Sequence, residues 1–267
     1  MTLIAIIIGT LIAGIGSVWL AAVLSFGVLA RYTQHMLSLA AGALLAAAFM
    51  HLLPEAFESQ AGAKDLFMTL LTGLVFFFLL DKAELWHHGH EHHHHHHHDH
   101  DHHPAQTHSP AAPKAGSWAV LTGDSVHCFG DGVLIASAFM ADMRLGVIAS
   151  LAVLVHEIPH HMGDLMVLSH NAGAASSNKR TALVKVSLAG AVTAIGGVLG
   201  YWLVEQLRDW LPYFLVVASS SFIYVALADL IPQLQKRLSA QQTAAQIAWL
   251  GAGIAMVTAI SSVAHGH

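Results

Sequence analysis

Apolar runs of about twenty residues recur along this chain, and no other feature restricts its fold as strongly. A helix needs about 20 mostly apolar residues to cross the hydrocarbon core of a bilayer. Such runs lie at about residues 3–29, 36–57, 66–85, 118–141, 145–170, 182–207, 212–235 and 246–264. In lipid each run must satisfy its own backbone hydrogen bonds, so every one is expected to be a helix. Composition agrees, with 55% hydrophobic and 10% charged residues; a soluble domain carries about 25% charged residues. The expected fold is an all-α membrane protein, an eight-transmembrane-helix bundle in which residues 1–267 form one domain. The first run lacks a basic leader and a cleavage site, and it is too long for a signal-peptide core, so it reads as a retained span.

Basic residues set the orientation. With the N-terminus outside, the inner loops hold Arg31, Lys82, Lys114, Lys179, Arg180, Lys185, Lys236 and Arg237, and the outer side holds Lys64, Arg144 and Arg208. The excess lies inside, which predicts both termini outside and the long connection, residues 86–117, in the cytoplasm. That connection is a low-complexity loop, expected to be disordered. From His87 to His108 it contains fourteen of the 23 histidines, with Glu91, Asp99 and Asp101 among them. Such a tract binds metal by composition, and it captures less as pH falls because each imidazole must be neutral to ligate. A polar linker without a role is the alternative. Cys128 is the one cysteine, which excludes an intramolecular disulfide.

Two runs carry ionisable groups where lipid would favour none, and such groups mark function by default. In the fourth run His127 and Asp131 are four apart and share a helix face, with Asp124 one turn earlier. Cys128 lies about 100° round the helix from His127, and a soft sulfur with imidazole and carboxylate suits zinc better than magnesium or calcium. Gly130 and Gly132 leave room for close approach of a neighbouring helix. Asp124 reads equally as a ligand or as interhelical hydrogen-bonding glue. In the fifth run His156 pairs with His160, Glu157 pairs with His161, and Asp164 extends the first pair by a turn. A face this polar must look into the bundle. For His161 and Asp164 an outer-sphere or access role stays open beside direct ligation.

His156-Glu157-Ile158-Pro159-His160 also fits His-Glu-x-x-His, in which two histidines hold zinc and the glutamate is the general base of a protease. An intramembrane zinc metalloprotease is therefore one alternative, and a metal sensor without transport is another. Pro159, expected to disturb a regular helix and expose carbonyls to an ion, and the second ligand set in the fourth run argue against the protease. Pro54 and Pro232 interrupt two further runs, and Pro212 suits a helix start. His51 and Glu55 repeat the four-residue spacing across Pro54 and are candidates for the same ion pathway. In the seventh run Tyr224 reads as a packing or hydrogen-bonding residue, and Asp229 as an exit-path or solvated carboxylate. The sixth run offers only Ser187 and Thr193 before Glu205 at its outer end, and His265 and His267 read as a loose tail.

Together these segments resemble the ZIP (Zrt/Irt-like) family of divalent-metal transporters, in its LIV-1-signature branch. The residues that carry the resemblance are His127, Phe129, Asp131 and Gly132, then His156, Glu157, Pro159, His160, Gly163 and Asp164. The stretches AFMHLLPEA and FIYVALADLIP support it. Cys128 stands where that branch has Asn, and His161 where it has Glu. The resemblance implies a single ZIP-like transmembrane domain that moves Zn²⁺, with Fe²⁺, Mn²⁺ or Cd²⁺ as further substrates, toward the cytoplasm by alternating access. It implies a central site of His127, Asp131, His156, Glu157 and His160, tuned by Cys128. It also implies a homodimer in the cell (inner) membrane, without cofactor, enzyme activity or nucleic-acid partner. A sixth-span carboxylate helps a second metal in some members; its absence here speaks against a conventional second site.

Overall fold

A computed structural model describes residues 1–25, 33–89, 117–171, 176–234 and 239–265. Among them there is no strand, and the helices fall into eight consecutive rods. α1 runs Thr2–Leu11, through a π turn Ile12–Gly16, to Ser17–Ser25. α2 runs Thr33–Ala47, through a π turn Ala48–Leu52, to Leu53–Phe57. α3 is Ala63–Gly89, α4 Ser117–Ala141, α5 Met143–Asn171 and α6 Ser176–Gln206. α7 runs Leu211–Tyr224, through a π turn Val225–Leu230, to Ile231–Leu234, and α8 is Ala240–His265. Seven of the rods are long and apolar enough to cross a membrane. The remaining one, α4, is long enough, but Asp124, His127 and Asp131 dilute its apolar run.

Most boundaries fall where hydropathy puts them, and four details differ. α3 continues to Gly89, four residues into the stretch expected as loop from residue 86; residues 90–116 lie outside the described residues, as do 26–29 of the first run. His265 closes α8 instead of belonging to a tail, and His267 lies outside the described residues. The break expected at Pro159 is absent, because α5 is one α-helix from Met143 to Asn171 with Pro159 buried inside it. The widened turns stand instead immediately before Leu53-Pro54 and Ile231-Pro232. A proline leaves the carbonyl one turn earlier without its donor, and a π turn ahead of it changes the hydrogen-bond register there. Pro212 lies in the first turn of α7, as expected.

α2 and α5 form the middle of the bundle, with 67% and 72% of their apolar windows buried, whereas α3 and α8 bury 11% and lie at the periphery. The core of α2 is built from small residues, Ala40, Ala41, Ala43, Ala46, Ala47 and Ala48 around Leu44. Small side chains let neighbouring backbones approach, which suits packing where lipid gives no hydrophobic drive between helices. α4 makes its most extensive contact with α6. One residue, Asp142, joins α4 to α5, and its carboxylate accepts the Arg144 N–H at 2.8 Å. This cap turns the chain sharply, so α4 and α5 run antiparallel with their ligand-bearing faces together. Tyr224 of α7 donates to Asp81 of α3 at 3.1 Å, the hydrogen-bonding role read for it.

Candidate metal site

Between α4 and α5 lie four carboxylates, four imidazoles and a thiol, and their donor atoms form three overlapping groups. In the first, His127, Asp131, His156 and Glu157 each offer one atom, all within 4.8 Å of one another. Nε2 of His127 and Nε2 of His156 are 3.4 Å apart. Glu157 Oε1 is 3.2 Å from the first and 3.1 Å from the second. Asp131 Oδ2 is 3.3 Å from His156 and 3.8 Å from His127. His156 Nδ1 is 3.2 Å from the Ala152 carbonyl oxygen. A carbonyl can only accept, so Nδ1 carries a proton, which leaves Nε2, the nitrogen that faces the group, as the one a metal would bind.

The second group is Asp124, Cys128, Glu157 and His161, all buried. The other oxygen of Glu157, Oε2, lies 2.9 Å from His161 Nε2 and 3.9 Å from Cys128 Sγ. Cys128 Sγ is 3.7 Å from Asp124 Oδ1. Thr193 of α6 comes within hydrogen-bonding reach of the thiol, so the polar residue that sequence left without a role backs this group. The third group is Asp124, His160 and Asp164. His160 Nε2 is 3.8 Å from Asp124 Oδ1 and 3.8 Å from Asp164 Oδ2.

The structure thus brings together eight of the ten residues singled out by sequence and adds Asp124, whose role sequence left open. His160 offers its donor atom to the third group, while its ring stands 5.6 Å from that of His127, about as near as the His156 ring at 5.7 Å. His51 and Glu55 join none of the three. The Asp229 side chain lies outside the described side chains. Glu205 is on the exposed end of α6, where Arg208 holds it at 2.8 and 2.7 Å. Of Gly130 and Gly132 on α4, only Gly132 faces a neighbour closely. A Cβ there would meet Thr193 and Gly197 of α6, whereas a Cβ on Gly130 meets nothing within 4 Å. The close approach expected at both positions therefore holds for one.

Several buried polar atoms in this region make no well-aligned hydrogen bond among the described residues, namely Asp124 Oδ2, Asp131 Oδ2, Glu157 Oε1, Asp164 Oδ2 and both ring nitrogens of His161, although Asp131 Oδ2, Glu157 Oε1 and His161 Nε2 each stand within 3.3 Å of an imidazole or carboxylate atom. Most native buried polar groups are paired, so orphans gathered at one place mark a position where something charged belongs. Four carboxylates in a low-dielectric interior call for compensating cations. Imidazole, carboxylate and thiolate together are the donor types that bind zinc.

A family profile described as ZIP zinc transporter matches residues 81–261. The human zinc transporter ZIP4 is 38% identical over 122 residues, which cover 45% of this chain and 18% of the relative. Zinc transporter ZIP13 of Pongo abelii is 25% identical over 284 residues, 96% of this chain and 77% of the relative. Zinc transporter foi of Drosophila melanogaster is 34% identical over 128 residues, 48% of this chain and 17% of the relative. The chain therefore spans less than a fifth of the ZIP4 and foi relatives and most of ZIP13. The profile match covers more than half of the sequence and includes every residue of the three donor groups, and this chain belongs to the ZIP zinc transporter family.

Proposed function

We propose that this protein moves divalent metal cations, zinc foremost, across a membrane toward the cytoplasm by alternating access. One observation carries the reading. Donor atoms on a tetrahedral zinc, each about 2.0–2.1 Å from the metal, stand about 3.3 Å from one another. Five of the six edges of the His127–Asp131–His156–Glu157 group run from 3.1 to 3.8 Å. Zinc is the substrate, and these four residues are its central ligands. Cys128 and His161 are softer neighbours that favour zinc and cadmium over manganese; iron, manganese and cadmium are further substrates. His51 and Glu55 belong to the approach to this site.

All eight rods span the membrane, with both termini outside and residues 90–116 in the cytoplasm, where the histidines capture released metal. The chain acts as one transmembrane domain and pairs as a homodimer in the cell membrane. The relatives' names, each a zinc transporter, support the substrate. A protease is disfavoured because Glu157, the base it would need, is buried and engaged by His127, His156 and His161. The test is zinc uptake by the purified full chain in liposomes. Saturable uptake above empty vesicles is expected. Tight zinc binding without flux would replace transport by sensing, and cleavage of a membrane substrate without flux would restore the protease.

A further inference from the structure

α6 meets its two neighbours mainly through backbone. Toward α4, a Cβ on Gly196 would press on the Phe129 carbonyl oxygen, and the Thr193 carbonyl oxygen presses on Gly132. Toward α1, a Cβ on Gly190 would lie 2.9 Å from the Gly14 carbonyl oxygen. Thr193 stands between these two contacts and is 1% exposed. A Cβ on Gly14, inside the π turn of α1, would lie 2.7 Å from Thr193 Oγ1 and 2.9 Å from its Cβ. Backbone therefore encloses this side chain on both sides.

Cys128 lies four residues before Gly132, so it shares the face of α4 that Thr193 touches. The Thr193 side chain hydrogen-bonds with the thiol. Hydroxyls inside apolar helices commonly bond a carbonyl one turn back in their own helix, as those of Thr10, Ser137 and Ser150 do. Among the described residues Thr193 makes no such bond. Two carboxylate oxygens also face the sulfur, Asp124 Oδ1 at 3.7 Å and Glu157 Oε2 at 3.9 Å. Ionised carboxylates only accept, and they repel a thiolate, so Thr193 brings a donor that they cannot.

We propose that Thr193 is a positioning residue: its hydroxyl aims Cys128 Sγ at the metal and thereby sets the preference of the site for soft cations over manganese. Thr193 is not itself a ligand and acts through the sulfur. A metal takes cysteine as the thiolate. A hydroxyl that donates to that sulfur fixes its rotamer and offsets part of its charge, as groups behind other metal ligands do. Sulfur strengthens binding of cadmium and zinc and adds little for manganese, so the hydroxyl matters to the first two. This role rests on the metal-transport reading of the site, and binding and flux test the two separately.

The test titrates the purified full chain with cadmium and with manganese, and follows the ultraviolet thiolate-to-cadmium charge-transfer band. Thr193→Val keeps the branched shape and removes the hydroxyl; Thr193→Ser keeps the hydroxyl and removes a methyl. Thr193→Val should weaken cadmium binding at least ~10-fold, diminish the band and leave manganese binding unchanged. Thr193→Ser should retain both cadmium affinity and band. A packing role alone predicts the reverse, with valine harmless and serine damaging. With Cys128→Ala already in place, Thr193→Val should cost cadmium nothing further, because the two residues act as one unit. Cadmium bound by Thr193→Val as tightly as by the unsubstituted chain, equal losses for cadmium and manganese, or the same loss without the cysteine would overturn the proposal. Zinc uptake by the unsubstituted chain in liposomes is measured in parallel: its absence would refute transport and leave the cadmium pattern to decide the role of Thr193.

Discussion

Gly132→Ala puts the packing that shapes the site to a direct test. An alanine Cβ at this position would lie 2.7 Å from the Gly197 nitrogen of α6 and would also press on the Thr193 carbonyl oxygen. Ordinary contact needs about 3.5 Å, so α4 and α6 must part by at least about 0.8 Å. Both obstacles are helix backbone, which cannot swing aside as a side chain can. Functional constellations tolerate about 0.5 Å, and Asp131 is the adjacent residue while Cys128 is one turn away. Overpacking of this kind costs about 1–3 kcal/mol of stability. Zinc affinity should fall about 10–100-fold, as it does when groups that position metal ligands are lost. Gly130→Ala is the matched control, because its Cβ meets nothing within 4 Å. It should be neutral or gain up to about 1 kcal/mol from helix propensity. Thermal unfolding of the purified protein and competition with a zinc-binding dye measure both quantities. Equal behaviour of the two variants, in either direction, would refute the argument from α4–α6 contact.

Three further outcomes follow from the same geometry. Glu157→Gln should reduce zinc affinity more than His127→Ala, by at least ~10-fold further, because Glu157 serves two donor groups and its loss leaves several polar groups unpaired; isothermal titration of both variants compares them. Cys128→Ser replaces sulfur by a hard oxygen and should shift preference from cadmium and zinc toward manganese, read by competition uptake with two metals. Lowering pH should weaken zinc binding, since protons and metal compete for the same imidazole nitrogens and carboxylates; equilibrium dialysis across a pH series should show affinity rising with pH, and a flat profile would contradict ligation by imidazole.

Much of this site is legible in the sequence because helical periodicity is rigid. Four-residue spacing places His127 with Asp131, and His156 with His160, on common faces whatever surrounds them. Periodicity does not give the axial offset between two antiparallel helices. That offset depends on the one-residue turn at Asp142, and it decides which side chains meet. His160 shares a face with His156 and keeps its ring 5.6 Å from that of His127, yet its Nε2 faces Asp124 and Asp164. The same offset gives Asp124 its place between two groups, where sequence alone left ligand and glue equally open. Gly130 and Gly132 differ because two residues turn the helix by about 200°, and only the position of α6 tells which one is approached. Proline chemistry predicts a break at Pro159, but a buried helix held on several sides carries a proline while its neighbours compensate. The widened turns before Pro54 and Pro232 had no sequence signal beyond the prolines themselves.

The central claim is that His127, Asp131, His156 and Glu157 hold the ion that crosses the membrane. Its most direct test is the initial rate of zinc entry into liposomes containing His127→Ala/His156→Ala protein, matched to the unsubstituted chain in amount and orientation. The account predicts a rate no greater than that of empty vesicles. Zinc entry at the unsubstituted rate would contradict it.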